Sequence, residues 1–224
     1  MKKMMMIAAM MIAAVSANAQ NEVGQITLKP TVGLNIASMT KFDGSKVRPG
    51  FIAGVEGEYG VSENFGITAG IFYSQQGVKS NDEGEIDLED FRDFGIDLGV
   101  GILKIKGKET IKLDYINIPI LAQYYPIKGL ALKAGIQPGF CVNKKYKVEG
   151  TASVTASASE PFNEEYKITE GIKSFQFAIP VGVSYEYANF VLDARYNIYL
   201  TKALKDSDSR HSVFSFTLGY KFAL

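Results

Sequence analysis

Hydrophobic and polar residues alternate with a period of two along most of the chain. In residues 51–60 (FIAGVEGEYG), Phe51 and Tyr59 lie on one face, and Glu56 and Glu58 lie on the other. Successive side chains of a β-strand point to opposite faces of a sheet, so this alternation predicts strands. A soluble barrel would turn the apolar face into a core, whereas a membrane barrel would turn it toward lipid and enclose the carboxylates.

Eight segments alternate in this way, and each is close to the ~10 residues of a tilted transmembrane strand. They are residues 25–37, 48–60, 65–77, 111–125, 130–143, 174–187, 190–200 and 212–222. Long and short connections alternate between them, and the long ones are residues 38–47, 78–110, 144–173 and 201–211. The pattern predicts an all-β, eight-stranded antiparallel up-and-down transmembrane β-barrel with short periplasmic turns, long extracellular loops and both termini periplasmic.

Aromatic residues on the apolar parity fall into two groups, as the two interfacial girdles of a membrane barrel require. One group lies near the short turns and comprises Tyr59, Phe65, Tyr124, Tyr185, Phe190 and Phe222. The other lies toward the long loops and comprises Phe51, Tyr73, Phe140, Phe175, Tyr196 and Phe214. The eight steps from Phe51 to Tyr59 correspond to roughly 20 Å of height, near the ~25 Å of an apolar band.

Charged residues within the segments collect on the polar parity, and we expect them to form a charge network in the lumen. They are Lys29, Arg48, Glu56, Glu58, Lys133, Glu186, Asp193, Arg195 and Lys221. Five cations and four anions could neutralise one another inside a narrow barrel, where an unpaired charge would be costly. The alternative is a secreted soluble barrel of the lipocalin kind, with these charges on its wet outer face.

Some local features interrupt the simple pattern. Four prolines (Pro30, Pro119, Pro138 and Pro180) fall inside predicted strands, where each removes a ladder donor, so we expect β-bulges there. Residues 97–106 could form an extra strand pair projecting from the second long connection. Lys112 and Asp114 lie on the lipid parity, so this strand is expected to enter the membrane only near Ile116.

The N-terminus has the pattern of a secretory signal peptide. Lys2 and Lys3 precede an apolar run, and Ala17-Asn18-Ala19 supplies a small-residue cleavage site, which predicts removal of residues 1–19. The remaining residues 20–224 are long enough for one domain, and they contain no run of ~18 apolar residues that would make a membrane helix. Any membrane span must therefore consist of strands.

Composition excludes several other classes of protein. Without residues 1–19, 22 Lys and Arg face 24 Asp and Glu, so nothing favours nucleic acid as a partner. The single cysteine, Cys141, lies far from any position for a lipoprotein anchor, and it has no partner for an internal disulfide.

Several short motifs resemble the PorT-like outer-membrane β-barrel family of Gram-negative bacteria. They are YINIPILAQYYP (115–126), GIQPGF (135–140), DARYNIYL (193–200) and FTLGYKF (216–222). The resemblance covers the whole chain after the signal peptide and implies an outer-membrane barrel. Tyr199 stands where the family usually has glycine, and Ala223 and Leu224 follow the aromatic residue that often ends such chains. The secretion role of the member that gave the family its name is not transferred.

The lone histidine, His211, is the candidate for a catalytic residue. A barrel that deacylates lipid A would place His and Ser two residues apart on one strand face, but Ser212 is adjacent and residue 213 is Val. A surface protease would combine a histidine with carboxylates at the rim, and Asp206 and Asp208 are near in sequence. The main expectation for His211 is a solvated residue at the end of a loop.

Two loop segments were considered as binding sites. The acidic stretch NDEGEIDLEDFRDFGID (81–97) could hold Ca²⁺, but it lacks the ordered spacing of an EF-hand loop, so a solvated surface loop is favoured. The stretch GTASVTASASE (150–160) favours a protruding hairpin. We therefore expect no metal site and no cofactor.

The functional expectation is a non-enzymatic integral outer-membrane barrel whose external loops form the interaction surface. An interior of eight strands is just wide enough for side chains, which argues against a diffusion pore. Outer-membrane lipid and the barrel-assembly machinery are the expected partners, and the barrel is expected to be a monomer. The alternative that stays open is a barrel enzyme acting on lipid or peptide at the cell surface.

Overall fold

The computed structural model describes residues 23–41, 44–87, 102–154, 160–167, 171–204 and 208–224. The predicted signal peptide, residues 1–19, lies outside them. The described residues form strands β1 (Ile26–Met39), β2 (Arg48–Ser62), β3 (Phe65–Asp87), β4 (Ile102–Asn117), β5 (Ile120–Ile127), β6 (Leu130–Val154), β7 (Glu160–Lys167), β8 (Phe175–Tyr187), β9 (Phe190–Tyr199), β10 (His211–Tyr220) and β11 (Phe222–Ala223). They contain no helix that is long and apolar enough to cross a bilayer.

The strands close into a ring of antiparallel neighbours. β1 pairs with β2 on one side and with β10 and β11 on the other, which leaves the barrel wall without an edge. β4 and β5 occupy one position in the wall, as do β10 and β11, because each pair continues the same register. Within the described residues the wall therefore has eight strands, as the alternation predicts.

Burial is inverted relative to a soluble protein. Outward side chains are apolar and exposed, as at Leu34 (62 %) and Leu192 (62 %). Inward side chains are polar and buried, as at Glu56 (1 %), Gln76 (0 %) and Asn35 (0 %). An apolar exterior around a polar interior is the arrangement that a lipid-facing barrel requires.

The aromatic residues of the two predicted girdles lie on the outer surface and pair across neighbouring strands. Toward the extracellular end, the ring centroids of Phe140 and Phe175 are 5.5 Å apart. At the opposite end, those of Phe65 and Tyr124 are 5.0 Å apart. Such pairs add favourable contact energy beyond the area they bury.

None of the four prolines lies at a register shift, so the expectation of β-bulges there is wrong. Pro138 keeps its register opposite Phe177 of β8. Pro30 lies opposite the break between β10 and β11, and Pro180 lies opposite a gap in the β6–β8 ladder. Pro119 separates β4 from β5, yet the register on β3 continues across it unchanged. A missing N–H is thus accommodated by omitting a ladder bond. The register shifts occur elsewhere, between Gly60 and Ser62, Asp114 and Tyr115, and Tyr124 and Ile127.

Strands β3, β4 and β6 continue well beyond the wall, and much of the two longest connections is therefore strand. β3 has 23 residues and β6 has 25, about twice the length needed to span a membrane. Their outer parts and β7 form a four-stranded sheet in the order β3-β4-β6-β7, here called the β-extension, in which β7 pairs only with β6. Residues 102–106 of the segment expected to form an extra strand pair belong instead to β4 and pair with β3, and residues 88–101 lie outside the described part.

Candidate functional site

The lumen contains two groups of linked charges. In the first, Glu56 lies directly opposite Lys29 in the β1–β2 ladder, and their charged atoms are 2.7 Å apart. Lys133 Nζ lies 2.6 Å from Asp193 Oδ2 and 3.7 Å from Glu56 Oε1. Arg195 Nη2 connects both carboxylates, at 3.2 Å from Glu56 and 3.1 Å from Asp193. Contacts between β2 and β9 cross the barrel, so the group ties opposite walls together.

The second group lies nearer the periplasmic turns. Lys221 Nζ contacts Glu58 at 3.0 Å and Glu186 at 3.1 Å, and the Tyr125 hydroxyl donates to Glu58 Oε1. The two groups together contain four cations and four carboxylates. Arg48 is placed apart from both, at the extracellular end of β2, where it donates to the main-chain oxygen of Gln76.

Amides and hydroxyls fill the lumen above the charges. Asn35 donates to Ser74 at 2.9 Å and accepts from Ser215 at 2.8 Å, and Gln176 donates to Asn117 at 2.9 Å. A cavity of about 20 Å³ lies beside Arg195, with Ser74 and Asn117 also in its lining. Its size is that of about one water molecule.

An apolar cluster closes the extracellular end of the lumen and is here called the cap. Its buried members are Met39, Val78, Leu113, Tyr115, Ile172 and Ala203. The β6 side contributes Cys141, and the two connections meet through an isolated bridge between Ile172 and Leu204. The strands place Met39, Val78, Leu113 and Tyr115 on the inward parity, and Ile172 and Ala203 join them from the connections before β8 and after β9. The cap therefore lies over the polar layers.

His211 lies beneath the cap and is buried, so the expectation of a solvated loop-end residue is wrong. Its Nε2 lies 3.1 Å from the Tyr115 hydroxyl, and its ring packs edge-on against Tyr199 at 5.3 Å. Ser212 points to the other face and lies 3.1 Å from the Tyr196 hydroxyl. Asp208 is exposed and pairs with Lys202 at 2.6 Å, and Asp206 lies outside the described residues. The described partners of His211 are thus two buried tyrosines, Tyr115 and Tyr199.

The described part of the chain holds no group of three or more histidine, cysteine or carboxylate side chains suited to a metal ion. Ten of the seventeen residues of the acidic stretch 81–97 lie outside that part, as do five of the eleven residues of 150–160. Residues 81–87 belong to β3 and residues 150–154 to β6, so both stretches begin within the β-extension.

Lysines are concentrated on one face of the β-extension. The register places on that face, in neighbouring positions, Lys79, Asn81, Lys108, Thr110, Lys112, Lys145, Lys147, Glu149, Asn163, Glu165 and Lys167. Glu165 accepts from both Lys112 and Lys145 at 2.6 Å. These two bonds, from Lys112 and then Lys145, lower the pKa of the Glu165 carboxyl to about 2. We call these residues the outward lysine face, since their parity matches that of Ile116 and the lipid-facing wall.

Two features of the site were not found from the sequence. The cap was missed because the inward side chains of its strands are polar along most of their length. They become apolar only at the outer end, as at Val78 and Leu113. The lysine face was missed because residues 78–110 and 144–173 read as loops. The signal for both was available in the continued alternation of residues 108–113, KETIKL.

Comparison with known proteins agrees with this architecture. A family model described as an outer membrane protein beta-barrel domain matches residues 18–205. No protein of curated function matches the chain.

Solved structures to which the chain is similar include the following three proteins. Ail, the attachment invasion locus protein of Yersinia pestis, is 16 % identical, with 90 % of this chain and 100 % of that one covered and a TM-score of 0.45. Neisserial surface protein A is 12 % identical, with coverages of 88 % and 97 % and a TM-score of 0.39. OprG from Pseudomonas aeruginosa is 10 % identical, with coverages of 92 % and 99 % and a TM-score of 0.40.

The family model covers most of the chain, and the closed ring with an apolar exterior is the fold that it describes. A soluble lipocalin-like barrel is therefore excluded, and the protein resides in the outer membrane. The chain belongs to the outer membrane protein beta-barrel domain family.

Proposed function

We propose that this outer-membrane barrel is non-enzymatic and non-conducting, and that it acts through the β-extension on the cell surface. The observation that carries the proposal is the filling of the lumen at successive levels. Charged pairs around Glu56, amide and hydroxyl contacts around Asn35 and the cap above them leave about 20 Å³ beside Arg195. Among the described residues these layers occupy the lumen at three successive levels, and the cavity beside Arg195 has room for about one water molecule.

The β-extension supports an external site of action. Strands that are about twice the length of a membrane span cost synthesis and ordering entropy without adding to the wall. β3, β4 and β6 nevertheless continue in unbroken ladders, from Gly77–Lys112 to Asp87–Ile102 between the first two. A rigid sheet of this kind presents side chains in fixed positions to other molecules.

An enzymatic role is the second candidate, and the geometry does not favour it. His211 is 3 % exposed and its Nε2 faces the Tyr115 hydroxyl, so substrate would have to displace the cap to reach it. A His211→Ala variant should leave lipid A composition and surface proteolysis unchanged. A change in either would make the protein a barrel enzyme.

Conductance tests the closed lumen. The purified protein in a planar bilayer should give no stepwise ion currents, while a large porin inserted in the same bilayers gives regular steps. Steady, ohmic steps from the wild-type chain would contradict a closed barrel. A variant with Val78→Ser and Leu113→Ser should raise the frequency of brief openings if the cap is one of the seals.

Within the family, we infer a PorT-like relationship. The support is the set of motifs quoted above, among which Tyr115 belongs to the cap, Pro119 to the break before β5 and Arg195 to the first charge group. A sequence profile of PorT-like proteins should align these three residues with its own motif positions. Alignment elsewhere would reject the relationship.

Biogenesis follows from the same proposal. Export is expected to use residues 1–19 as the signal peptide, insertion to use the barrel-assembly machinery, and the inserted barrel to be a monomer in contact with outer-membrane lipid. N-terminal sequencing of the membrane form should begin at Gln20, and retention of Met1 would contradict cleavage.

A further inference from the structure

We propose that the outward lysine face binds phosphate-bearing lipid headgroups in the outer leaflet beside the barrel. This deepens the proposed function, because it names the partner of one face of the β-extension. The first supporting observation is charge. Among the residues whose side chains the structure describes, the face holds six lysines against two glutamates, a net charge of +4.

The opposite face of the same strands has a different composition. Among its described charged residues are Lys144, Glu109 and Glu164, which leave a net charge of −1, together with the apolar residues Ile111 and Val148. Lys144 is also engaged, since its Nζ donates to the main-chain oxygen of Ile172 at 2.8 Å. The lysines are therefore concentrated on one face of the sheet. A surface that contacts only water would not require this separation.

The second observation is height above the membrane. Ile116 pairs with Tyr73 and Phe140 of the extracellular girdle, and Lys112 lies four residues further along β4. At ~3.3 Å per residue and a tilt of ~40°, this places Lys112 roughly 10 Å above the girdle. The headgroup layer is about 5–8 Å thick on each side of the hydrocarbon core. Lys112 and its neighbour Lys145 thus lie just beyond its outer boundary, and a long lysine stem can span the remaining distance.

The third observation is direction. The face continues the lipid-facing parity of the wall, so its lysines point away from the barrel axis and over the surrounding leaflet rather than over the mouth. The next outward residue below, Asp114, is buried and accepts from Asn143 at 2.8 Å. Its carboxylate is therefore engaged within the protein. Long lysine stems allow the ammonium groups to extend toward the phosphates while their methylenes stay on the sheet.

Three lysines of the face form no ion pair with the described residues: Lys79, Lys108 and Lys167. Lys112 and Lys145 share Glu165, and Lys147 pairs with Glu149. Removing the first three lowers the charge without breaking an ion pair of the described residues. The test variant is therefore Lys79→Gln/Lys108→Gln/Lys167→Gln.

A matched control removes the same charge elsewhere. Lys41 follows β1 and Arg210 precedes β10 on the opposite side of the ring, and Lys128 lies in a periplasmic turn. None of the three forms an ion pair with the described residues, so the control variant is Lys41→Gln/Lys128→Gln/Arg210→Gln. Each protein, purified in a non-ionic detergent, is titrated at low ionic strength with bis-phosphorylated lipid A, and bound lipid is measured by native mass spectrometry.

The face variant should bind bis-phosphorylated lipid A roughly 100-fold more weakly, from about fivefold per lysine near an anionic surface. The control variant should remain within about threefold of wild type, and dephosphorylated lipid should bind all three proteins weakly. Raising the salt from 0.01 M to 1 M, where the Debye length falls from about 30 Å to 3 Å, should remove the difference.

Equal losses in the two variants, or no loss in the face variant, would overturn the proposal. So would equal binding of phosphorylated and dephosphorylated lipid, because the acyl chains would then account for the affinity. Strong binding of inorganic polyphosphate with no effect of the face variant on lipid would assign the face to soluble polyanions instead. Because the three substitutions lie outside the lumen, the face variant should conduct no more than the wild type. Stepwise currents would therefore count against the closed barrel, whereas the lipid titration alone tests the lysine face.

Discussion

At the scale of single residues, Glu56 has the most concentrated set of interactions in the lumen. Its two carboxylate oxygens face Lys29, Lys133 and Arg195, and its side chain is 1 % exposed. A buried ion group of this kind adds little over apolar packing, but it becomes costly when one partner is removed. Its contribution therefore lies in fixing one arrangement of four strands around the lumen.

Glu56→Gln should lower the free energy of unfolding by about 3–5 kcal/mol, because three buried cations would then share one carboxylate. Urea unfolding of the refolded barrel in lipid vesicles measures the change. Glu63→Gln, in an exposed turn, is the control and should change stability by less than about 0.5 kcal/mol. Adding Lys29→Met to Glu56→Gln should recover part of the loss, and equal costs at positions 56 and 63 would show that the network is hydrated.

At the scale of elements, each strand of the wall separates a lipid face from a lumen face. β10 shows this most simply, since Phe214, Phe216 and Leu218 are 49 %, 50 % and 45 % exposed, whereas Ser215 is 4 % exposed. Leu218 lies midway between the aromatic residues Phe214 and Phe222, and it therefore lies near the bilayer midplane.

Leu218→Arg should cost about 2–4 kcal/mol, since it places a charge near the midplane on the lipid face. Val47→Arg provides a matched control, because Val47 is 58 % exposed but lies four residues above Phe51, where the cost should be about 0–1 kcal/mol. The free-energy costs of the two substitutions are to be measured by unfolding the variants in lipid vesicles. If the two arginines cost the same, then the wall is not oriented with Leu218 inside the bilayer.

The strands of the wall could be predicted from the sequence because their side-chain period is two and one face must be apolar. Prolines were harder to interpret, since Pro30 and Pro180 remove one ladder bond each without shifting the register. The outer parts of β3, β4 and β6 were read as loops because polar residues occupy both faces of a strand that has left the membrane. Alternation in hydrophobicity fades there, although the backbone ladder continues.

The candidate site could be predicted only in part. Parity alone identifies the charged positions of the lumen, but not which side chains meet, because Arg195 reaches Glu56 across 139 residues of sequence. Parity also does not distinguish Arg48 from the two charge groups, although Arg48 lies nearer the extracellular end of the barrel. Buried His211 was taken for a loop residue because a strand boundary placed one residue too late moves it out of the wall.

At the scale of the whole molecule, closure of the ring determines how the protein resists unfolding. β1 pairs with β10 over nine residue pairs, from Thr31–Gly219 to Met39–His211, so opening the wall means breaking a full ladder. Water is absent from the bilayer core to compensate the freed N–H and C=O groups.

Heat should therefore change the electrophoretic mobility of the protein. The unboiled chain in mild detergent should migrate at a different apparent mass from the boiled chain, because a closed barrel has no edge from which to unravel. A soluble fraction of the protein without such a shift would contradict the fold. The Gly33→Val variant should lose its folded band at a lower temperature than the wild type. The added Cβ would lie 2.1 Å from the Phe216 oxygen at the β1–β10 seam.

The edge of β7 has a consequence for life in a crowded membrane. Outside the wall the sheet is not closed, and β7 pairs only with β6 among the described residues, so its other edge could receive a strand from an adjacent molecule. Edge-to-edge addition is how sheets grow into fibres, and natural edges are protected by prolines and by charges of like sign. In EPFNEEYK, Pro161 removes one donor, and Glu164 would repel the same strand of another copy. The composition of this short strand therefore keeps densely packed neighbours separate.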